Sequence, residues 1–331
     1  MTALLAIAAI LALFILALRL AFPLPRPLRD KSSTPPPDAP SELCDEVEAL
    51  ASEHPGDTGL LLLSDPVEAL ASRIAHVRAA TRSIDAQYFI WKGDLSGRML
   101  LAELVRAAER GVRVRVLVDD VTTARLDPIW AAAAALPGFE VRLFNPLTIR
   151  RPRALSYLIN PLRLNRRMHN KSMTFDGAVS IVGGRNIGDE YFGAREKGLF
   201  IDLDALVVGG IVGEIAQDFE RYWCSVSSFP AQQMLPAPDE DDIAALGSPV
   251  HANPALAAEY AEALHDSGLL ERLAWQAATF FWRKCAQLRA TARCSTARSG
   301  TPCRRAYPSP DPRGAAAQPI RPHQRALRPG C

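Results

Sequence analysis

The chain has 331 residues, room for one large domain or two ordinary ones, and its 48% hydrophobic content is enough for a sizeable core. Its formal charge of +2 hides an asymmetry: residues 283–331 hold eleven Lys and Arg against one acidic residue, which leaves 27 basic against 35 acidic residues in 1–282. An acidic body excludes a general charge-driven nucleic-acid binder, and only Cys44 and Cys224 outside the tail exclude a disulfide framework there.

Residues 2–18 carry no charge, and with 20–22 they make about 20 apolar residues, one helical span if Arg19 snorkels to the headgroups. Residues 1–22 are therefore expected to be a transmembrane anchor. A cleaved signal peptide is the alternative, but no basic segment precedes the apolar run and no small-x-small site precedes Pro23. Arg19, Arg26, Arg29 and Lys31 follow the span, which predicts a domain on the cytoplasmic side. Residues 23–58 read as a Pro-rich linker with Pro35-Pro36-Pro37, then a short helix capped by Ser41.

A buried strand is expected over 60–63 and a helix over 65–80 with Asp65 as cap. The alternating run 83–91 predicts a half-buried strand, and 97–110 an amphipathic helix capped by Asp94 or Ser96 and stopped at Gly111. VRVRVLV at 112–118 then predicts a parallel return strand, and hence an α/β domain. A helix over 127–135 and a strand over 139–144 follow. Arg150, Arg151, Arg153, Arg163, Arg166 and Arg167 form a basic run around Tyr157 and Leu158. It reads either as a solvated loop or as a rim for anionic headgroups, with Arg166 and Arg167 nearest the motif described next.

That motif is His169-x-Lys171, four more residues, Asp176, a strand-like run, and Gly183-Gly184-Arg185-Asn186. Residues two apart on an extended segment share a face, so the imidazole and the ammonium can act on one group, and an anionic phosphate suits them. Gly183 and Gly184 would permit close approach and free N–H groups, and Asn186 would add an amide donor. Asp176-Gly177 is also a turn dipeptide, so structural support is as good a role for Asp176 as catalysis. With no second His or Cys at ligand spacing around His169, zinc is disfavoured.

HxKxxxxD followed by a G-G/S-x-N turn resembles the signature of the phospholipase D superfamily. QYFIW at 87–91, RGVRVRVLVDD at 110–120, RLFNP at 142–146, GGRNIGDEYF at 183–192 and FIDLDALVVGG at 200–210 resemble its bacterial cardiolipin synthase branch, and DFERYW at 218–223 its closing helix. The resemblance implies a phospholipase D-like mixed sheet flanked by helices over residues 59–232, equivalent to the first half of a two-signature enzyme. It also implies phosphatidyl transfer without metal or cofactor. His169 is the nucleophile, Lys171 and Asn186 hold phosphoryl oxygens, and Asp202, with Asp204 as second choice, orients the imidazole. Phosphatidylglycerol is the expected substrate and nucleic acid is not a partner.

Residues 233–282 would be an acidic linker over 236–242 and helices over 254–265 and 269–282 that begin the second half, and 283–331 a disordered basic tail translated in a shifted frame. No second signature follows, and His251 and His265 lack a following Lys motif. A homodimer would then supply the second histidine. Lipid hydrolysis, or an inactive fragment that only binds anionic lipid, are the alternatives.

Overall fold

Nine strands make one sheet in the computed structural model, which describes residues 1–25, 40–193, 202–246 and 280–284. They are β1 (Thr58–Leu63), β2 (Ser83–Tyr88), β3 (Arg113–Asp119), β4 (Phe139–Phe144), β5 (Lys171–Phe175), β6 (Val179–Gly183), β7 (Asp204–Gly209), β8 (Ser228–Pro230) and β9 (Phe281–Arg283). Across the sheet they run β8-β4-β3-β2-β5-β6-β7-β1-β9. β2, β3 and β4 are parallel to one another and every other pair is antiparallel, so the sheet is mixed, as the resemblance implied.

Local chemistry sets most boundaries. Asp94 caps the helix Leu95–Glu109 by accepting from the Gly97 N–H at 3.3 Å, and Gly111, at φ +90°, turns the chain into β3. Asp65 caps Pro66–Ala79 from the Glu68 N–H at 2.9 Å, with Pro66 in the first turn. These two helices, with Glu42–Ser52 and Asp127–Ala135, cover one face of the sheet and close the main core over Ile84, Val116, Phe175, Ile181 and Leu206. The helix Val212–Trp223 covers the other face, where Phe219 and Trp223 pack with Leu117, and Ile215 with Val207.

That second layer corrects the reading of β2. Its polar positions alternate as in a half-solvated strand, yet all six residues are buried. Arg115 of β3 grips Asp85 through two 2.6 Å hydrogen bonds, and its guanidinium lies 4.8 Å and 5.3 Å from the ring centres of Phe219 and Trp223. The alternating polar face is a paired ionic layer beneath a helix.

Three further expectations change. Glu240–Leu246 is helical where an acidic linker was expected, because Asp239 accepts from the Asp242 N–H at 2.8 Å and Leu246 reaches the core. Phe281–Arg283 is not the end of a helix. It pairs antiparallel with β1, and Trp282 stacks on His54 at 4.3 Å, so an aromatic run fills the sheet edge. The basic run before His169 contains two short helices, Leu155–Ile159 and Pro161–Leu164. The expected helix over 254–265, most of that over 269–282, and the tail beyond residue 284 lie outside the described residues.

The N-terminal helix Thr2–Ala21 is long and apolar enough to cross a membrane, and none of its residues is buried by the protein. Its contact with the body runs through Arg19, whose Nε and Nη2 donate to the Ile159 carbonyl at 2.9 Å and 2.7 Å.

Candidate active site

His169 comes two residues before Lys171, the first residue of β5, so both emerge at the same strand end. The imidazole is exposed. Lys171 Nζ lies 3.3 Å and 3.4 Å from the two ring nitrogens and 3.0 Å from the His169 carbonyl oxygen. The register that sets Tyr88 opposite Lys171 carries the next residue, Phe89, onto the pair: its ring is 5.1 Å from the imidazole and 5.7 Å from Nζ. Partial desolvation, and then the neighbouring ammonium, lower the His169 pKa. The shift favours the neutral ring, with a lone pair available, beside a cation. Desolvation also lowers the Lys171 pKa, against the opposing charges of Asp202 and Asp204.

The glycine turn works differently from the expectation. Neither Gly183 nor Gly184 has a positive φ. A Cβ on Gly183 would come within 2.0 Å of Asp204 Oδ1, and one on Gly184 within 2.5 Å of Asp202 Oδ1. Glycine is needed there to admit the chain's own two carboxylates. The Gly184 N–H donates to the Leu203 carbonyl at 3.0 Å and the Arg185 N–H to Asp204 at 3.2 Å, so neither is left for a phosphoryl oxygen. Asp204 is buried against Arg73 at 2.8 Å, whereas Asp202 is half-exposed, beside Gly184 and near Lys171. The imidazole is hydrogen-bonded to Lys171; among the described residues no hydrogen bond joins it to Asp202.

Asn186 is buried. Its Oδ1 accepts from the Ile90 N–H at 3.0 Å, and one of its two amide hydrogens goes to the Tyr191 hydroxyl at 3.1 Å. The amide thus ties the glycine turn to the segment just after Phe89. Tyr191, whose pKa is raised mainly by burial and also by Asp202, completes this wall. Sequence reasoning missed Phe89 and Tyr191. Both lie inside blocks quoted for the resemblance, but an aromatic inside an apolar stretch reads as core.

The neutral imidazole, the adjacent ammonium and an aromatic wall form a site suited to opening a phosphodiester. The family profile of the cardiolipin synthase, PLD-like domain matches residues 74–223, which contain all of these groups. Residues 74–223 are a phospholipase D-like domain of the cardiolipin synthase type. Cardiolipin synthase C of Escherichia coli is 44% identical over 244 residues, covering 73% of this chain and 51% of that protein. A cardiolipin synthase of Staphylococcus aureus is 35% identical over 170 residues, covering 51% and 33% respectively. An uncharacterized protein of Helicobacter pylori is 40% identical over 183 residues, covering 54% and 36%. The chain spans about half the length, or less, of these curated relatives.

The phospholipase D-like domain does not bring Asp176 to this site. Asp176 follows the far end of β5, about 16 Å along the strand from Lys171 at 3.3 Å per residue. Its carboxylate accepts from the N–H groups of Thr81, Arg82 and Ser83 at 3.0, 2.8 and 2.9 Å and from the Ser41 hydroxyl at 2.6 Å. Its φ of +49° and that of Gly177, +71°, make the tight turn into β6. Of the two readings kept open for Asp176, the turn and its anchorage are what the geometry supports.

Arg166 is exposed. Arg167 is turned inward instead, 3.1 Å from Asp119 and donating to the Asn145 carbonyl at 2.7 Å. Asp119 also accepts from the Met168 N–H at 3.2 Å, so the end of β3 fixes the two residues before His169. Burial pushes the Asp119 carboxyl up to about 7 against the pull of Arg167. Arg167 thus braces the backbone just before His169, a contact the linear order could not supply.

Proposed function

We propose that this domain catalyses phosphatidyl transfer through a phosphohistidine on His169. The reading is carried by one observation, a neutral exposed imidazole held 3.3 Å from the Lys171 ammonium in a cardiolipin synthase-type domain. A ring nitrogen attacks the phosphorus of phosphatidylglycerol. The P–N bond forms, the P–O bond to the headgroup glycerol breaks, and an acid protonates the departing oxygen. Lys171 neutralises charge on the non-bridging oxygens, helped by the free amide hydrogen of Asn186. The hydroxyl of a second phosphatidylglycerol then attacks, restoring the imidazole and releasing cardiolipin; water in its place yields phosphatidic acid. Asp202, beside Gly184 and acting through its charge on Lys171, is the carboxylate that orients the imidazole.

The acid for the first step is His169 of a second copy of this chain in its protonated form, which gives its proton to the departing oxygen and regains one from the attacking hydroxyl in the second step. Purified chain in phosphatidylglycerol vesicles, assayed by lipid chromatography, tests the scheme. Cardiolipin and free glycerol should form with the native chain and not with His169→Ala. Equal yields from both would exclude His169 as nucleophile, and phosphatidic acid alone would make the domain a hydrolase.

A further inference from the structure

The run of six arginines before His169 shows little of its charge to water. Arg150 pairs with Asp120 at 2.7 Å and also with Asp127, and Arg153 pairs with Asp127 at 2.9 Å. Arg163 donates to Asn145 and to the Pro146 carbonyl at 3.1 Å and 2.6 Å, and Arg167 is held by Asp119. Only Arg151 and Arg166 of the six are exposed. What the segment exposes instead is apolar: Tyr157 at 41%, Leu158 at 46% and Leu162 at 83%. They point outward from the helices Leu155–Ile159 and Pro161–Leu164, while Ser156, Ile159 and Leu164 point inward and are buried.

The N-terminal helix indicates what covers this cluster. At 1.5 Å per residue, its 20 residues match a hydrocarbon layer of about 30 Å, so Arg19 in the last turn sits where acyl chains give way to headgroups. The two hydrogen bonds from Arg19 fix the Ile159 carbonyl at that level. Tyr157, Leu158 and Leu162 adjoin Ile159, tyrosine is a residue favoured at the membrane interface, and the exposed Arg151 and Arg166 flank them as partners for lipid phosphate. We infer that residues 155–164 form a wedge that dips into the acyl boundary of an anionic phospholipid bilayer and sets His169 at headgroup depth. The wedge is coupled stiffly to the site. Asn145 Nδ2 donates to the carbonyls of Arg163 and Arg166 at 2.9 Å and 2.6 Å, and Asp119 holds Arg167 and Met168.

This deepens the proposed function by stating how lipid reaches the imidazole, but its decisive test needs no turnover. The full chain carrying p-benzoylphenylalanine at Leu162 is reconstituted in vesicles of phosphatidylglycerol and phosphatidylcholine, irradiated and analysed by mass spectrometry, with the same group at exposed Glu109 as control. A phospholipid adduct at 162 and none at 109 is the expected result. No lipid adduct at 162, or an adduct to a second copy of the chain, overturns the wedge. In an active preparation, Leu158→Ser combined with Leu162→Ser should raise KM for vesicle lipid about tenfold. It should leave hydrolysis of a monomeric short-chain phosphatidylglycerol unchanged, and an unaltered vesicle KM would again count against the wedge.

Discussion

The two ends of β5 carry one sequence motif in opposite surroundings. At the first end His169 meets solvent, Lys171 is half-buried, and the ring's polar partner is the Lys171 ammonium. At the second end Asp176 is buried and its carboxylate is saturated by three backbone N–H groups and a hydroxyl from the start of β2 and the cap of the helix Glu42–Ser52. Residues that contribute to a reaction need unspent hydrogen-bonding capacity, and residues that contribute to a fold need it used up. Two histidines repeat the contrast. His76 is buried in the core beside Phe175 with its Nδ1 on the Ser72 carbonyl, and burial pushes its pKa down to about 4. The His169 pKa is lowered in a site that a substrate can reach.

Substitutions at the two ends should separate activity from stability. The largest effect is expected for His169→Ala, a loss of turnover of about 10³-fold or more with an unchanged Tm, since the lost side chain is exposed. A Tm drop of several degrees would mean that the ring belongs to the fold. Asp176→Ala should do the reverse. Leaving buried donors unsatisfied costs about 3–5 kcal/mol of unfolding free energy, readable by urea titration, while activity per folded molecule stays the same. Activity lost in proportion beyond the unfolded fraction would return Asp176 to the chemistry.

Smaller effects come from pH. The attacking ring must be neutral, and Lys171 helps to keep its pKa low, so the acid limb of kcat/KM should lie below the usual histidine value. Lys171→Met should move that limb to higher pH as the repulsion is removed, in addition to lowering the rate. A limb that does not move would show that desolvation alone sets the ring's pKa. The smallest change concerns His76. Its folded pKa is depressed, so the stability due to the neutral ring is present above about 6.5, the unfolded value, and is lost as pH falls towards 4. His76→Gln should flatten that part of the stability curve without touching the pH dependence of catalysis.

Much of the molecule was legible in the chain. The caps Ser41, Asp65 and Asp94, the left-handed Gly111 and the Asp176-Gly177 turn fall where side-chain type alone places them, because each acts on backbone groups within a few residues. The parallel β2–helix–β3 unit followed from spacing and handedness. What misled was charge. Arg115, an arginine in an alternating strand, is 1% exposed over Asp85. Arg150, Arg153, Arg163 and Arg167 read as a solvated loop face or a headgroup rim and are held by groups from distant segments. Phe89 and Tyr191 looked like core and wall the imidazole and Asn186.

The sequence by itself determined the main helices and strands between residues 58 and 183, and that an imidazole and an ammonium share one strand end, since periodicity, capping and two-residue alternation are local. Only the tertiary structure decided which charges remain free: Asp119 and Asp120 from the end of β3, and Asp127 from the helix that follows, neutralise arginines that come after β4. A carboxylate within 3 Å changes an arginine from a lipid ligand to a brace, and no pattern along the chain specifies that distance.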